Sequence, residues 1–98
     1  MIVRKEENGD STTHAVFSAL VVATNCSLSA HVPAHSILRR FRKDKRGIAK
    51  KALNRIVRLG FAAEHPTRGE TTWQLTERGF AIGVEMLRRD LVKAKSLA

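Results

Sequence analysis

Ninety-eight residues, 43% of them apolar and with no polar low-complexity tract, set the expectation of one globular domain with a thin core and exclude a multi-domain enzyme. A formal charge of +9 points to an anionic partner, and the single cysteine excludes an internal disulfide. The longest apolar stretch, Ala15 to Ala23, falls short of the roughly twenty residues a membrane span needs and follows Glu6, Glu7 and Asp10, unlike an export signal, so a cytoplasmic location is expected.

Asp10, Ser11 or Thr12 is expected to cap a first helix over residues 10–24, with Val16, Phe17, Leu20 and Val21 on its main apolar face. Ala15, Ala19 and Val22 cover much of the other side. A helix apolar nearly all round is central to the core or covered by a second subunit. After a polar break at 25–29, His31 and Val32 suit a short edge strand. Pro33 suits the first position of a second helix over 33–41, because its missing N–H would have no intrahelical partner there.

A third helix is expected over 44–59, closed by Gly60 as a left-handed cap. At about 100° per residue, Ile48, Ala49, Ala52, Leu53, Ile56, Val57 and Leu59 fall in one arc. Lys50, Lys51, Asn54, Arg55 and Arg58 fall in the other. The charge of this region is its main feature. Between Arg39 and Arg58 stand ten basic residues and one acid, Asp44, a balance of +9 that equals the formal charge of the whole chain. A merely solvated helix would intersperse acids to limit self-repulsion, whereas a cationic face opposite an apolar one suits a polyanion.

Residues 61–75 read as a hairpin with Thr67 and Arg68 at its tip. Trp73 and Leu75 alternate with Thr72 and Gln74, which puts the two large apolar side chains toward the helices. Thr76 caps a last helix over 76–95. In it Phe80, Val84, Leu87 and Leu91 recur at coiled-coil spacing, with Ile82 and Met86 as a second stripe, so one stripe can pack within the domain while the other meets a second copy in a homodimer. Packing of both stripes within one subunit is the alternative.

The segment Ile56-Val57-Arg58-Leu59-Gly60-Phe61, followed after a hairpin by Leu75-Thr76-Glu77-Arg78-Gly79, resembles the winged-helix DNA-binding regulators, in particular the small bacterial and archaeal MarR-like kind. The resemblance covers about residues 12–95. It implies an α+β winged helix-turn-helix fold, mainly helical with a small β-hairpin, and a function in transcription, with repression by steric occlusion favoured over activation. It also implies a third helix in the major groove of double-stranded DNA and a hairpin on adjacent backbone or minor groove. The expected base readers are Arg46, Lys50, Lys51 and Asn54, since Arg pairs with guanine O6 and N7 and Asn with adenine N6 and N7. Arg39, Arg40, Arg42, Lys43, Lys45, Arg55 and Arg58 are expected on phosphate, with Thr67 and Arg68 as wing contacts.

Two other readings remain open from sequence: an RNA- or ribosome-associated winged-helix protein, and a protein-interaction module. Cys26, His31 and His35 lack the paired spacing of a structural zinc motif, so no metal site or cofactor is expected, and His14 and His65 are isolated. No assembled catalytic constellation or nucleotide fingerprint appears, so no enzymatic activity is expected.

Overall fold

The computed structural model describes the backbone of residues 2–97 and the side chains of residues 12–95. In chain order the elements are α1 (Ile2–Ala23), β1 (Val32–Pro33), α2 (Ala34–Leu38), a single 3-10 turn (Lys43–Lys45), α3 (Arg46–Arg58), β2 (Ala62–Pro66), β3 (Thr71–Leu75) and α4 (Glu77–Leu97). The architecture is mainly helical with a small antiparallel sheet of order β1-β3-β2. β2 and β3 form the expected hairpin, and the short strand at Val32 lies on the other edge, opposite Trp73.

Two helix ends follow from backbone chemistry. At the end of α3, Gly60 takes φ 84°. Its N–H donates to Val57 O while Phe61 N–H donates to Ile56 O, which satisfies two carbonyls that a helix end leaves open. Asn25 plays the same part after α1 at φ 57°, with its N–H on Val22 O and that of Cys26 on Val21 O. Asn tolerates the left-handed region better than most side chains. Buried Thr24 adds its own hydroxyl to Leu20 O and Val21 O.

The core is one cluster. Val16, Phe17, Leu20 and Val21 of α1 pack against Ala49, Ala52, Leu53 and Ile56 of α3, with Ile37, Trp73 and Leu75 closing the sides. Ala49 and Ala52 allow close approach of α3 to α1, and Leu53 and Ile56 are fully buried there. The hairpin is joined to α4 through Thr76, whose hydroxyl accepts from Gly79 N–H at 3.0 Å and donates to Gly60 O at 2.7 Å. That is the expected cap. Gly79 is required by its surroundings, because a Cβ there would lie 1.9 Å from Phe61 O.

Several expectations need correction. α1 is already formed at Ile2, so the chain passes through 10–12 without starting a helix; the Asp10 and Ser11 side chains lie outside the described residues. Pro33 stands just before α2 at φ −76° and ψ 165°, paired with Thr72 rather than helical, and α2 ends at Leu38 instead of 41. α3 begins at Arg46, after the 3-10 turn. Ile48 and Leu59, assigned to the apolar arc, are 52% and 46% exposed. The buried arc is narrower than the apolar one because α3 rests mainly on α1, and Ile48 stands on its flank.

On α4, Ile82 and Met86 pack against the core while Val84, Leu87 and Leu91 are exposed and Phe80 is half-buried. Midway along it Glu85 accepts from Arg88 at 2.7 Å and from Arg89 at 3.2 Å. The Arg88 hydrogen bond is the main cause that brings the Glu85 carboxyl down to about 2, and the Arg88 guanidinium is raised in return. No helix among the described residues is long and apolar enough to cross a membrane.

Candidate nucleic-acid interface

The buried side of α3 is set by Ala49, Ala52, Leu53 and Ile56, so the helical period directs Gly47, Lys51, Asn54 and Arg58 farthest from the core. All four are exposed, as are Lys50 and Arg55 on the flanks. The preceding segment exposes Arg39, Arg40, Arg42, Lys43 and Lys45. Its one acid, Asp44, lies 3.4 Å from Arg42 Nε, and both side chains are well solvated. The first turn of α3 holds no acid and has no side-chain cap, so no carboxylate within it offsets the positive end of its dipole.

Arg46 is placed differently from the other cations. Its Nε–H is shared between Leu38 O at 3.2 Å and Phe41 O at 3.3 Å, and the residue is half-buried. Held through Nε on the carbonyls of Leu38, the last residue of α2, and of Phe41 beyond it, the Arg46 side chain ties that segment to the start of α3. Arg55 donates to Thr13 Oγ1 at 3.4 Å, at the outer limit of a hydrogen bond, and remains exposed. Of the ten cations in 39–58, Arg46 alone is not exposed.

A groove of about 450 Å³ separates α3 from the hairpin. Lys50 and Asn54 line one wall, Glu64, Glu70 and Thr71 the other, with Trp73 between and His35 at the end. Sequence reading missed the two carboxylates. Their signal was available, because Glu64 pairs with Trp73 in the hairpin register and Glu70 precedes β3, but only the register places them opposite Lys50. At the tip, Thr67 Oγ1 bonds the Glu70 backbone, which closes the turn and leaves Arg68 exposed.

Cys26, His31 and His35 are not brought together, and no group of three or more His, Cys, Asp or Glu suited to a metal ion is assembled among the described residues. His35 lies at the groove, whereas the ring of His31 rests against His65, with centroids 4.7 Å apart. Comparison of the chain with family models, curated proteins and solved structures returned no match.

Proposed function

We propose that this chain binds double-stranded DNA as a winged-helix regulator of transcription, with α3 as the recognition helix and the β2–β3 hairpin as the wing. The observation that carries this reading is the outward arc of α3, which presents Lys51, Asn54 and Arg58 with Lys50 and Arg55 beside them and no acid on the helix. A B-form major groove admits one α-helix, and contacts made at its floor come from such an arc. Lys50, Lys51 and Asn54 are the base readers. Arg39, Arg40, Arg42, Lys43, Lys45, Arg55 and Arg58 neutralise phosphate, and Arg68 extends the contact to the neighbouring backbone or minor groove. Glu64 and Glu70 repel phosphate and can accept from the amino group of cytosine, so they restrict the register in which Lys50 and Asn54 meet the bases.

The exposed stripe Val84, Leu87 and Leu91, continuous with exposed Val22 across a small cleft at Gly83, supports a homodimer joined through α4 and α1. A dimer repeats the recognition helix and so reads two half-sites. Occupancy of such a site excludes other proteins from it, which is repression by occlusion.

Selection of duplex oligonucleotides from a random pool, followed by fluorescence anisotropy at fixed salt with structured RNA as competitor, tests the assignment. A recovered motif whose duplex outcompetes the RNA supports it. Preferential retention of RNA, or no retention of any duplex at about 50 mM salt, where phosphate contacts are strongest, refutes it.

A further inference from the structure

We propose that His31 and His65 form a two-imidazole site for a first-row transition-metal dication. The pair lies on the outer face of the sheet, away from the proposed DNA surface of α3. Trp73 and Leu75 point into the core, so Thr72 and Gln74 occupy the opposite face of β3, and His65 is the register partner of Thr72. His31 directly precedes β1, whose Val32 faces Trp73. The two histidines, far apart in the chain, thereby meet with ring centroids 4.7 Å apart and planes inclined at 49°.

Two further observations make this more than ring packing. The Gln74 amide nitrogen donates to Leu28 O, which fixes the orientation of that amide and turns its oxygen toward His65. His65 Nε2 lies 2.6 Å from Gln74 Oε1, an acceptor, so Nε2 carries the proton. Neutral imidazole then holds its lone pair on Nδ1. This is the outer-shell arrangement that metal-binding histidines use, one nitrogen donating to a fixed acceptor and the other free to ligate. No hydrogen bond occupies His65 Nδ1 or either ring nitrogen of His31 among the described residues.

The centroid separation of 4.7 Å is compatible with ligation of one ion by both rings. With metal–nitrogen bonds of about 2.1 Å and an angle of roughly 90–110° between them, two ring centres lie roughly 4.6–5.3 Å apart. Imidazole selects Zn²⁺, Ni²⁺ and Cu²⁺ over Mg²⁺ and Ca²⁺, which prefer oxygen. With two protein ligands and water completing the shell, the site is open and of modest affinity. A Kd of roughly 1–100 µM corresponds to half the ligand set of a structural zinc site. Bound metal would tie the segment before β1 to the hairpin.

The test is calorimetric titration of ZnCl₂ into the full chain carrying Cys26→Ser, which removes the competing thiol, with MgCl₂ as control. One equivalent of Zn²⁺ is expected, with no Mg²⁺ binding. His31→Ala and His65→Ala should each weaken binding at least tenfold, His35→Ala should not, and Gln74→Leu should weaken it by roughly tenfold. Circular dichroism establishes that each variant is folded. Long-range ¹H–¹⁵N spectra of the metal-free chain should show His65 protonated at Nε2, with Zn²⁺ perturbing Nδ1. No binding at about 1 mM Zn²⁺, well above the expected Kd, or equal binding when either histidine is removed, leaves only a ring contact and overturns the proposal. DNA retention is measured separately and neither outcome here depends on it.

Discussion

Arg46 decides between two roles that the sequence alone does not separate, and Arg46→Met is the informative substitution. Methionine keeps a long apolar stem and a helix propensity close to that of arginine. It removes the Nε–H that Leu38 O and Phe41 O share. A hydrogen bond from a charged donor contributes about 1.5–3 kcal/mol net. Here one hydrogen serves two acceptors at 3.2 and 3.3 Å in a half-buried site, so the lower end applies, about 1–2 kcal/mol. For a domain of this size that lowers the melting temperature by roughly 5–15 °C. The assay is thermal and urea denaturation followed by circular dichroism, beside anisotropy titrations on a selected duplex. Lower stability with an unchanged order of base preferences is expected. Unchanged stability together with relaxed preference at one base pair would show Arg46 reading DNA and refute the positioning role.

Four other expectations concern the cationic face, the core and α4. If about six phosphates are neutralised, log K should fall with log salt at a slope near −5, roughly a thousandfold loss between 50 and 200 mM; Arg55→Ala with Arg58→Ala should flatten that slope by about 0.9 for each phosphate left without its cation, and an unaltered slope would remove both residues from the interface. Leu53→Ala empties a fully buried position between α3 and α1 and should cost about 2–5 kcal/mol in urea unfolding; a loss below about 1 kcal/mol would contradict burial at that position. Glu85 has its folded value lowered to about 2 from an ordinary 4.5, so its stabilising contribution to α4 is complete above about 4.5 and is lost as pH falls toward 2. Carboxyl ¹³C titration should place the Glu85 inflection near 2, and Arg88→Ala should return it toward the ordinary range. Leu87→Lys should shift sedimentation toward the monomer if the exposed stripe on α4 joins two copies, and a wild-type chain already monomeric at high concentration would end the dimer reading.

What could be read in advance was what short stretches of chain decide. Gly60 closes α3 and Thr76 opens α4 through bonds within a few residues or across one tight junction, and the alternation around Trp73 and Leu75 orients β3 without reference to distant elements. The misreadings came from the tertiary setting. Asp10, Ser11 and Thr12 look like a cap, yet nothing local halts the helix that passes through them. Ile48 has the right phase for burial but stays half exposed, because α3 rests on α1 along the narrower arc of Ala49, Ala52, Leu53 and Ile56. For Arg46, one of ten cations in its segment, the pattern gave no hint that its Nε–H is shared by carbonyls five and eight residues earlier. The His31–His65 pairing and the carboxylates across from Lys50 depend on strand register, which no local pattern announces.

Trp73 is the chain's only tryptophan, 5% exposed, and it lines the groove between Lys50 and Asn54 on one side and Glu64 and Glu70 on the other. Its indole nitrogen is buried without a hydrogen-bond partner among the described residues. The chain therefore carries one indole fluorophore, buried and singly placed, at the junction of helix and hairpin. Unlabelled emission spectra can follow any opening, wetting or filling of that junction without a dye whose own charge would disturb so cationic a surface.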